Sequence, residues 1–145
     1  MSTEENKTAM RRIPEEIYNQ GRLDVADEVF TADYVEHFPV PPGFPTGIPG
    51  LKAFVTALRD AFPDFHYTVE DEIAEGDKYV VRLTARGTMQ VAFLGMPATG
   101  KQATWTELHV ARVVGGKLVE HWTCIDQLGM LQQLGVMPAP GQART

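Results

Sequence analysis

Cysteine, basic residues and long apolar runs are the scarce features of this sequence. Its 145 residues include one cysteine, which excludes an internal disulfide and a zinc site built on cysteines. Lysine and arginine number 13 against 19 acidic residues, for a net charge of −6. Nucleic-acid binding depends on neutralising phosphates, so this balance argues against a nucleic-acid partner. No run approaches the roughly 18 apolar residues of a membrane span.

The N-terminal segment, MSTEENKTAMRR, lacks the apolar stretch of a secretory signal peptide. We therefore expect a cytoplasmic protein with no membrane partner. A hydrophobic content of 43% and a charged content of 22% are typical of soluble globular chains. We expect one domain over residues 1–145, with a flexible tail from about 138 to 145.

Metal and nucleotide sites are not indicated. The histidines are scattered, and no carboxylate cluster falls at the spacing of metal ligands. Residues 95–102, GMPATGKQ, match most of a phosphate-binding loop. Gln102 stands where that loop needs serine or threonine to bind magnesium, and a predicted strand follows instead of a helix, so we reject nucleotide binding.

The N-terminal half is predicted to form helices and one stiff loop. Apolar residues recur at helical spacing in three segments: residues 3–20, 23–30 and 49–62. Pro14 should kink or break the first helix. The Pro/Gly-rich loop 38–50 is long enough to be a lid or binding loop as well as a connector. We expect Phe38 on this loop and Phe54 on the third helix to contact a ligand.

The C-terminal half is predicted to form strands. The alternation of side chains indicates four of them: residues 66–74, 78–88, 101–114 and 117–126. A short amphipathic helix follows. Because the helices precede the strands instead of alternating with them, the sequence predicts an α+β fold with a mainly antiparallel sheet, one face of which the helices cover.

Gly115 and Gly116 predict a two-residue hairpin turn, since primed turns need positive φ at their central positions. If Val114 pairs with Lys117 and the pairing is regular, each residue further back along the first strand pairs with one residue further forward along the second. The predicted pairs are then Trp105 with Asp126, Glu107 with Cys124, and His109 with Trp122. Side chains alternate between the faces of a strand, so all of these pairs would share one face.

That face combines tryptophans with charged groups. An exposed sheet face would not normally carry two tryptophans. A sealed core would not normally hold Glu107, His109 and Asp126, because unpaired buried charge is costly. We interpret the face as the wall of a cavity in which Trp105 and Trp122 contact a ligand, although core packing alone also explains both tryptophans.

Asp126 has two compatible interpretations. Aspartate is a favoured N-cap, and a helix is predicted to follow. Desolvation by Trp105 and Trp122, with Glu107 nearby, would favour protonation, as a general base working near neutral pH requires. Glu107 is either the second member of a carboxylate pair or the partner of a helix cation. His109 is either a pocket group or a hydrogen-bonded core residue.

The positions of three other residues indicate what roles they could have. His37 starts the proline loop and suits either a pocket rim, where it would contact substrate, or an anchor for the loop. His121 falls on the opposite face in the predicted register and receives no role. Cys124 has no fixed base opposite it, which favours a structural thiol.

The sequence resembles a SnoaL-like polyketide cyclase (an ester cyclase) of the nuclear transport factor 2-like superfamily, over about residues 4–135. The segments that carry the resemblance are YNQGRLDVADEVFTADYVEH (18–37), GLKAFVTALRDAFPDFHYTVEDEIAEGDKYVVRLTARGT (50–88), FLGMPATGK (93–101) and GGKLVEHWTCIDQLGMLQQLG (115–135). The resemblance implies a cone-shaped α+β barrel around a deep hydrophobic pocket. It also implies a homodimer formed through the outer sheet face.

Characterised members of this family close a ring by intramolecular aldol condensation without metal or cofactor. The resemblance therefore implies a cofactor-independent acid/base enzyme acting on a small apolar or polyketide-like carbonyl ligand. It places the acid/base aspartate at Asp126, with His109 as the nearest assisting histidine. Pro14 departs from the family, whose members usually carry an aromatic residue there. An isomerase, a dehydratase, an epoxide hydrolase and a non-catalytic binding module stay open as alternatives.

Overall fold

The structure, a computed structural model, describes residues 2–138. Its α-helices are α1 (Thr3–Arg12), α2 (Ala26–Val29), α3 (Gly47–Ala61) and α4 (Gln127–Gln133), and its strands are β1 (Phe30–Glu36), β2 (His66–Glu75), β3 (Lys78–Thr88), β4 (Gln102–Val114) and β5 (Lys117–Ile125). A π-helical turn (Ile13–Tyr18) follows α1, and a 3-10 turn (Leu23–Val25) precedes α2. Most of the predicted flexible tail, residues 139–145, lies outside the described residues.

Within residues 2–138, five strands form one sheet in the order β1-β5-β4-β3-β2. The pairs β2–β3, β3–β4 and β4–β5 are antiparallel, and β1 runs parallel to β5. Helices pack against one face, where Phe62 at the end of α3 meets Trp105 with ring centroids 6.1 Å apart. The predicted α+β class and mainly antiparallel sheet are confirmed.

Strand β1 is absent from the predicted order of elements. The sequence pattern predicts a helix that ends at residue 30 and no strand before residue 66, but residues 30–36 form a strand that pairs Glu36 with His121 of β5. Its register shifts between Phe30 and Val35, which interrupts the alternation expected of a strand. Its partner lies 85 residues away, and local periodicity does not encode a pairing at that distance.

The β4–β5 hairpin departs from its predicted register. Both turn glycines, Gly115 and Gly116, have positive φ, 58° and 77°, as predicted. Beyond the second pair, however, the register shifts by one residue at an irregularity. A shift by one residue moves every later side chain of the strand to the opposite face. The observed pairs are Ala111 with His121, His109 with Thr123, and Glu107 with Ile125.

The predicted composition of the cavity face is therefore right for strand β4 and wrong for strand β5. Strand β4 supplies the residues predicted for it, Trp105, Glu107 and His109. Strand β5 supplies a different set to the concave face: His121, Thr123 and Ile125. Trp122 and Cys124 lie on the convex face, on the other side of the sheet from Glu107.

Pro14 changes the winding of the first helix. The α-helical part ends at Arg12, and the chain continues as a π-helical turn in which the Asn19 N–H donates to the Pro14 carbonyl at 3.0 Å. Proline has no N–H and its ring crowds the preceding turn, so the wider winding accommodates it. The turn carries Tyr18 to the sheet, where its ring centroid lies 5.0 Å from that of Tyr67.

Candidate active site

A cavity of about 520 Å³ lies between the concave sheet face and α3. This volume is in the range of small-molecule sites, about 300–1,000 Å³. Its lining is mainly apolar and rich in aromatic rings, including Phe38, Phe44, Phe54, Phe65, Phe93 and Trp105. The cavity therefore suits an apolar, flat ligand that is held by a few polar groups.

The proline loop forms part of the cavity wall. Phe38 lines the cavity from this loop and Phe54 lines it from α3, where the sequence predicts both. Phe44 meets Phe54 edge-on with ring centroids 6.4 Å apart. The loop therefore contributes two phenylalanines and several prolines to the cavity wall, which is more than a plain connector between β1 and α3 would do.

Glu107 is the buried charge of the cavity wall, with 3% of its surface exposed. Its Oε1 accepts hydrogen bonds from the Tyr67 hydroxyl at 2.7 Å and from His109 Nε2 at 2.8 Å. Its Oε2 accepts from the Trp105 indole N–H at 2.7 Å. This answers the alternatives raised by the sequence: the partners of Glu107 are a tyrosine, a tryptophan and a histidine of the sheet.

Burial alone would raise the pKa of Glu107, but hydrogen bonds and charge act against it. The bond from His109, the charge of that ring, and the bonds from Tyr67 and Trp105 hold the pKa of Glu107 below its ordinary value. Burial and the neighbouring Glu107 raise the pKa of Tyr67 well above its ordinary value. Tyr67 therefore stays a hydroxyl donor and Glu107 stays ionised at neutral pH.

The polar wall continues from His109 across two more strands. His109 Nδ1 is hydrogen-bonded to His121 Nε2 at 2.9 Å, with the rings stacked at a centroid distance of 5.1 Å. His121 Nδ1 is hydrogen-bonded to Glu36 Oε2 at 2.6 Å. Glu107, His109, His121 and Glu36 thus form one connected chain over β4, β5 and β1, named here the Glu–His–His–Glu chain.

The Glu–His–His–Glu chain runs from a sealed end to an open end. The Glu107 side chain is 4% exposed, those of His109 and His121 are 17% and 15% exposed, and that of Glu36 is 23% exposed. All four residues line the cavity. A connected set of titratable groups on an apolar cavity wall can store and move a proton.

His121 and Glu36 are the two functional candidates that sequence reasoning missed. The bulge in β5 turns His121 inward, and the parallel pairing of β1 brings Glu36 beside it. One signal was present: the tetrapeptides VEHF at 35–38 and VEHW at 119–122 repeat a Val-Glu-His-aromatic pattern. The two copies pair across the sheet, with Glu36 bound to His121 inside and His37 bound to Glu120 outside.

Trp122 and His37 lie away from the cavity. The His37 ring stacks on Trp122 at an interplanar angle of 4°, and His37 Nε2 lies 2.7 Å from Glu120 Oε2. Neither residue is among the described residues that line the cavity. The register shift in β5 puts Trp122 on the convex face. His37 follows Glu36 in the chain and lies on the same convex face, because Glu36 pairs with His121 and faces the cavity.

Asp126 is an exposed helix cap. Its Oδ1 accepts from the Gly129 N–H at 2.9 Å at the start of α4, as one of its two interpretations predicts. The predicted desolvation is wrong, since Trp122 lies on the convex face and Trp105 is not its strand partner. Asp126 is not among the described residues that line the cavity.

A smaller apolar chamber of about 70 Å³ adjoins the Glu–His–His–Glu chain. Pro14, Ala111 and Leu118 are among the residues that line it, together with His109, His121 and Glu36. The three polar residues therefore line both this chamber and the larger cavity. Tyr18 also lines the chamber.

The SnoaL-like polyketide cyclase model matches residues 8–134, and the chain belongs to that family. The aklanonic acid methyl ester cyclase DnrD of Streptomyces peucetius is 32% identical over 126 residues, which cover 83% of this chain and 84% of that protein. The nogalonic acid methyl ester cyclase of Streptomyces nogalater is 30% identical over 119 residues, 81% of this chain and 89% of that protein.

Solved structures show the same fold. TsrD from Streptomyces laurentii superposes with a TM-score of 0.85 at 26% identity, covering 94% of this chain and 99% of that one. IdmH from Streptomyces antibioticus superposes with a TM-score of 0.77 at 35% identity, covering 90% and 98%. The α+β architecture is therefore the SnoaL/nuclear transport factor 2-like fold, as the resemblance implies.

The described part of the chain shows neither a membrane-spanning helix nor a cluster of metal ligands. None of its helices is long and apolar enough to cross a bilayer. In residues 2–138, no three side chains of His, Cys, Asp or Glu converge as metal ligands would. The Glu–His–His–Glu chain is linear, with each member bonded to the next, instead of surrounding a common point.

Proposed function

We propose that this protein is a cofactor-independent acid/base enzyme that closes a ring in a polyketide-type ester by intramolecular aldol addition. The observation that supports the proposal most directly is the Glu–His–His–Glu chain on the wall of an apolar cavity. Titratable groups in a cleft, linked by hydrogen bonds and partly desolvated, are typical of acid/base sites.

The proposed chemistry needs one proton removed and one proton returned. A base takes the acidic proton from the carbon between two carbonyl groups, and the C–H electron pair becomes an enolate. The enolate carbon then bonds to a second carbonyl carbon of the same molecule, whose oxygen takes up a proton as an alcohol. The substrate and product have the same mass, and neither oxidant nor reductant is consumed.

The cavity supports the substrate class. Aromatic rings on two sides, Phe38 and Phe54, suit a flat fused-ring ligand, and the volume of about 520 Å³ suits a molecule of several rings. The curated relatives are named for methyl esters of aklanonic and nogalonic acids. We infer a methyl ester of an aromatic polyketide acid as the substrate of this chain.

In this proposal the acid/base groups are those of the Glu–His–His–Glu chain on the cavity wall, and Asp126 has no acid/base role. The positively charged form of a histidine beside the cavity also stabilises the enolate oxygen, since fixed charge in a dry site acts strongly on developing charge. His109 is suited to this part because Glu107 and His121 hold both of its ring nitrogens in place.

The test compares two histidine variants with the same substitution. His109→Gln keeps an amide that can donate to Glu107, but it cannot carry a proton, so we expect turnover to fall about 10²- to 10⁴-fold. His66→Gln, on a residue outside the cavity lining, is the control. Turnover of aklanonic acid methyl ester and nogalonic acid methyl ester is followed by chromatography with mass detection.

Each outcome of this assay assigns a function class. A product of unchanged mass that His109→Gln fails to form supports the cyclase. A product that contains oxygen from labelled water would replace the proposal with hydrolysis. Tight ligand binding without any product would replace it with a binding module.

We also propose a homodimer formed through the convex sheet face. Among residues 2–138, that face exposes four apolar side chains: Val35 (49%), Ile73 (63%), Leu108 (46%) and Val114 (53%). Apolar groups spread over a sheet face in this way favour burial against another protein surface. A second copy of the chain is the partner that the family resemblance implies.

A further inference from the structure

We propose that Glu36 is the catalytic base of this site, and that its Oε1 takes the proton from the substrate carbon. This inference rests on the proposed ring closure and names the atom that begins it. Glu36 stands at the end of β1, where the proline loop begins, and it lines the cavity.

Hydrogen-bond occupancy singles out Glu36. His109 uses Nε2 with Glu107 and Nδ1 with His121. His121 uses its remaining nitrogen, Nδ1, with Glu36. Neither imidazole has a free lone pair, so neither ring can accept a proton from a substrate without first breaking a bond of the chain.

The two carboxylates differ in their free capacity. Glu107 accepts three hydrogen bonds, from Tyr67, Trp105 and His109. Its side chain is 4% exposed, and its carboxylate is stabilised in the ionised form. Glu36 accepts from His121 and from the Phe38 N–H, and both bonds end on Oε2. Its Oε1 receives no hydrogen bond from the described residues, and the side chain is 23% exposed. Glu36 Oε1 is thus the available acceptor.

A proton count defines the state of the chain. Three hydrogen bonds join its four members, and each bond needs one proton. With Glu107 ionised, two arrangements keep all three bonds. Either the histidine pair carries one positive charge beside an ionised Glu36, or both rings are neutral and Glu36 is a carboxylic acid. Moving one proton between His121 and Glu36 interconverts these arrangements.

The first arrangement is the reactive one. Glu36 Oε1 takes the carbon-bound proton, and the C–H electron pair forms the enolate. The neighbouring imidazolium stabilises this negative charge until the new C–C bond transfers it to the second carbonyl oxygen. Glu36 then returns the proton to that oxygen. The chain ends with the protons it held at the start, so the cycle closes without an outside reagent.

The experiment isolates proton removal from ring closure. The probe is a β-keto methyl ester of the same ring system in which the acceptor carbonyl is replaced by methylene, so it cannot cyclise. Enzyme-dependent exchange of its α hydrogen for deuterium is measured in heavy water by NMR. We expect Glu36→Gln to lower this exchange about 10²- to 10⁴-fold while the Kd for the probe changes less than about threefold.

Glu120→Gln is the matched control. Glu120 is the carboxylate of the second Val-Glu-His segment, and it faces the convex side, where it binds His37 and Arg112. Its variant should exchange the probe at the wild-type rate. Glu36→Asp keeps a carboxylate but withdraws it by one methylene, so we expect an exchange rate between those of the wild type and the Gln variant.

The outcomes separate the two proposals. Exchange by Glu36→Gln at the wild-type rate overturns the assignment of Glu36 and leaves the ring closure standing. An absence of enzyme-dependent exchange in the wild type overturns both. If the Gln variant fails to fold by circular dichroism, the Asp variant decides, and a wild-type exchange rate in it also overturns the assignment.

Discussion

The imidazole of His37 lies flat on the indole of Trp122, with ring centroids 4.8 Å apart. His37 follows the end of β1 and Trp122 lies in β5, so the pair joins the two parallel strands on the convex face. On the concave side of the same junction, Glu36 binds His121. The edge strand is therefore bound to β5 by a stacked ring pair on the convex face and by a hydrogen-bonded pair on the concave face.

Removing the His37 ring should affect stability and leave the cavity unchanged. Aromatic pairs contribute about 0.5–1.5 kcal/mol beyond the area they bury, so we expect His37→Ala to lower the free energy of unfolding by about 1 kcal/mol. Urea denaturation measures this change. Ligand affinity should be unaltered, whereas Trp105→Phe, which removes a donor to Glu107 in the cavity, should alter it. Weaker ligand binding by His37→Ala would restore its predicted place at the rim.

Glu107 should make stability depend on acid pH. Its pKa is lower in the folded state than its ordinary value of 4.5. The stabilisation is therefore fully present above about pH 4.5 and is lost as the pH falls through the folded-state pKa. Glu107→Gln should remove this dependence. It should also cost about 1–3 kcal/mol at pH 7, because an amide N–H would face buried donors.

The measurement is urea denaturation between pH 3 and pH 7. Glu70→Gln, on an exposed carboxylate of β2, is the control. Parallel stability curves for wild type and Glu107→Gln across this range would show that folding does not lower the pKa of Glu107.

Asp126 tests the role implied by the family resemblance. Asn is also a favoured N-cap, so Asp126→Asn should preserve α4, whereas Asp126→Ala should cost about 0.5–2 kcal/mol. Because the carboxylate is exposed and outside the cavity lining, we expect the Asn variant to keep its turnover. Steady-state kinetics and thermal denaturation of both variants decide the matter. A folded Asn variant that binds ligand without turnover would return the acid/base role to Asp126.

The proposed dimer should respond to charge on the convex face. Leu108→Glu places a carboxylate in the middle of that face, and we expect the dimer to dissociate, because an unpaired charge in an apolar interface is costly. Sedimentation velocity over a range of protein concentrations reports the change. Leu128→Glu, at an exposed position on α4, is the control. An unchanged dimer in Leu108→Glu would place the interface elsewhere.

Local chemistry was sufficient to predict much of this fold. Helical spacing located α3, and the paired glycines located the β4–β5 turn. Alternation placed Trp105, Glu107 and His109 on a common face. These features depend on neighbours within about ten residues, where periodicity and turn preferences act directly. The helix cap at Asp126 was predictable for the same reason.

The β5 half of the site was not predictable in this way. One extra residue at the bulge in β5 reverses the faces of His121 and Trp122. No residue in this part of the sequence indicates that a bulge is present. Strand β1 is short and pairs with a segment 85 residues away, so its identity depends on a partner that local patterns do not contain. The repeated Val-Glu-His segments carried the signal, but only their pairing showed its meaning.

The sequence by itself determined an α+β protein of the SnoaL-like family with Glu107 and His109 facing inward. Family motifs and the alternation of side chains both depend on residues that are close together in the chain. Tertiary structure alone decided that Glu36, His121, His109 and Glu107 form one hydrogen-bonded chain. Such a chain depends on strand register and on distances of 2.6 to 2.9 Å between side chains of three strands. Those are properties of the folded sheet, and a shift of one residue is enough to abolish them.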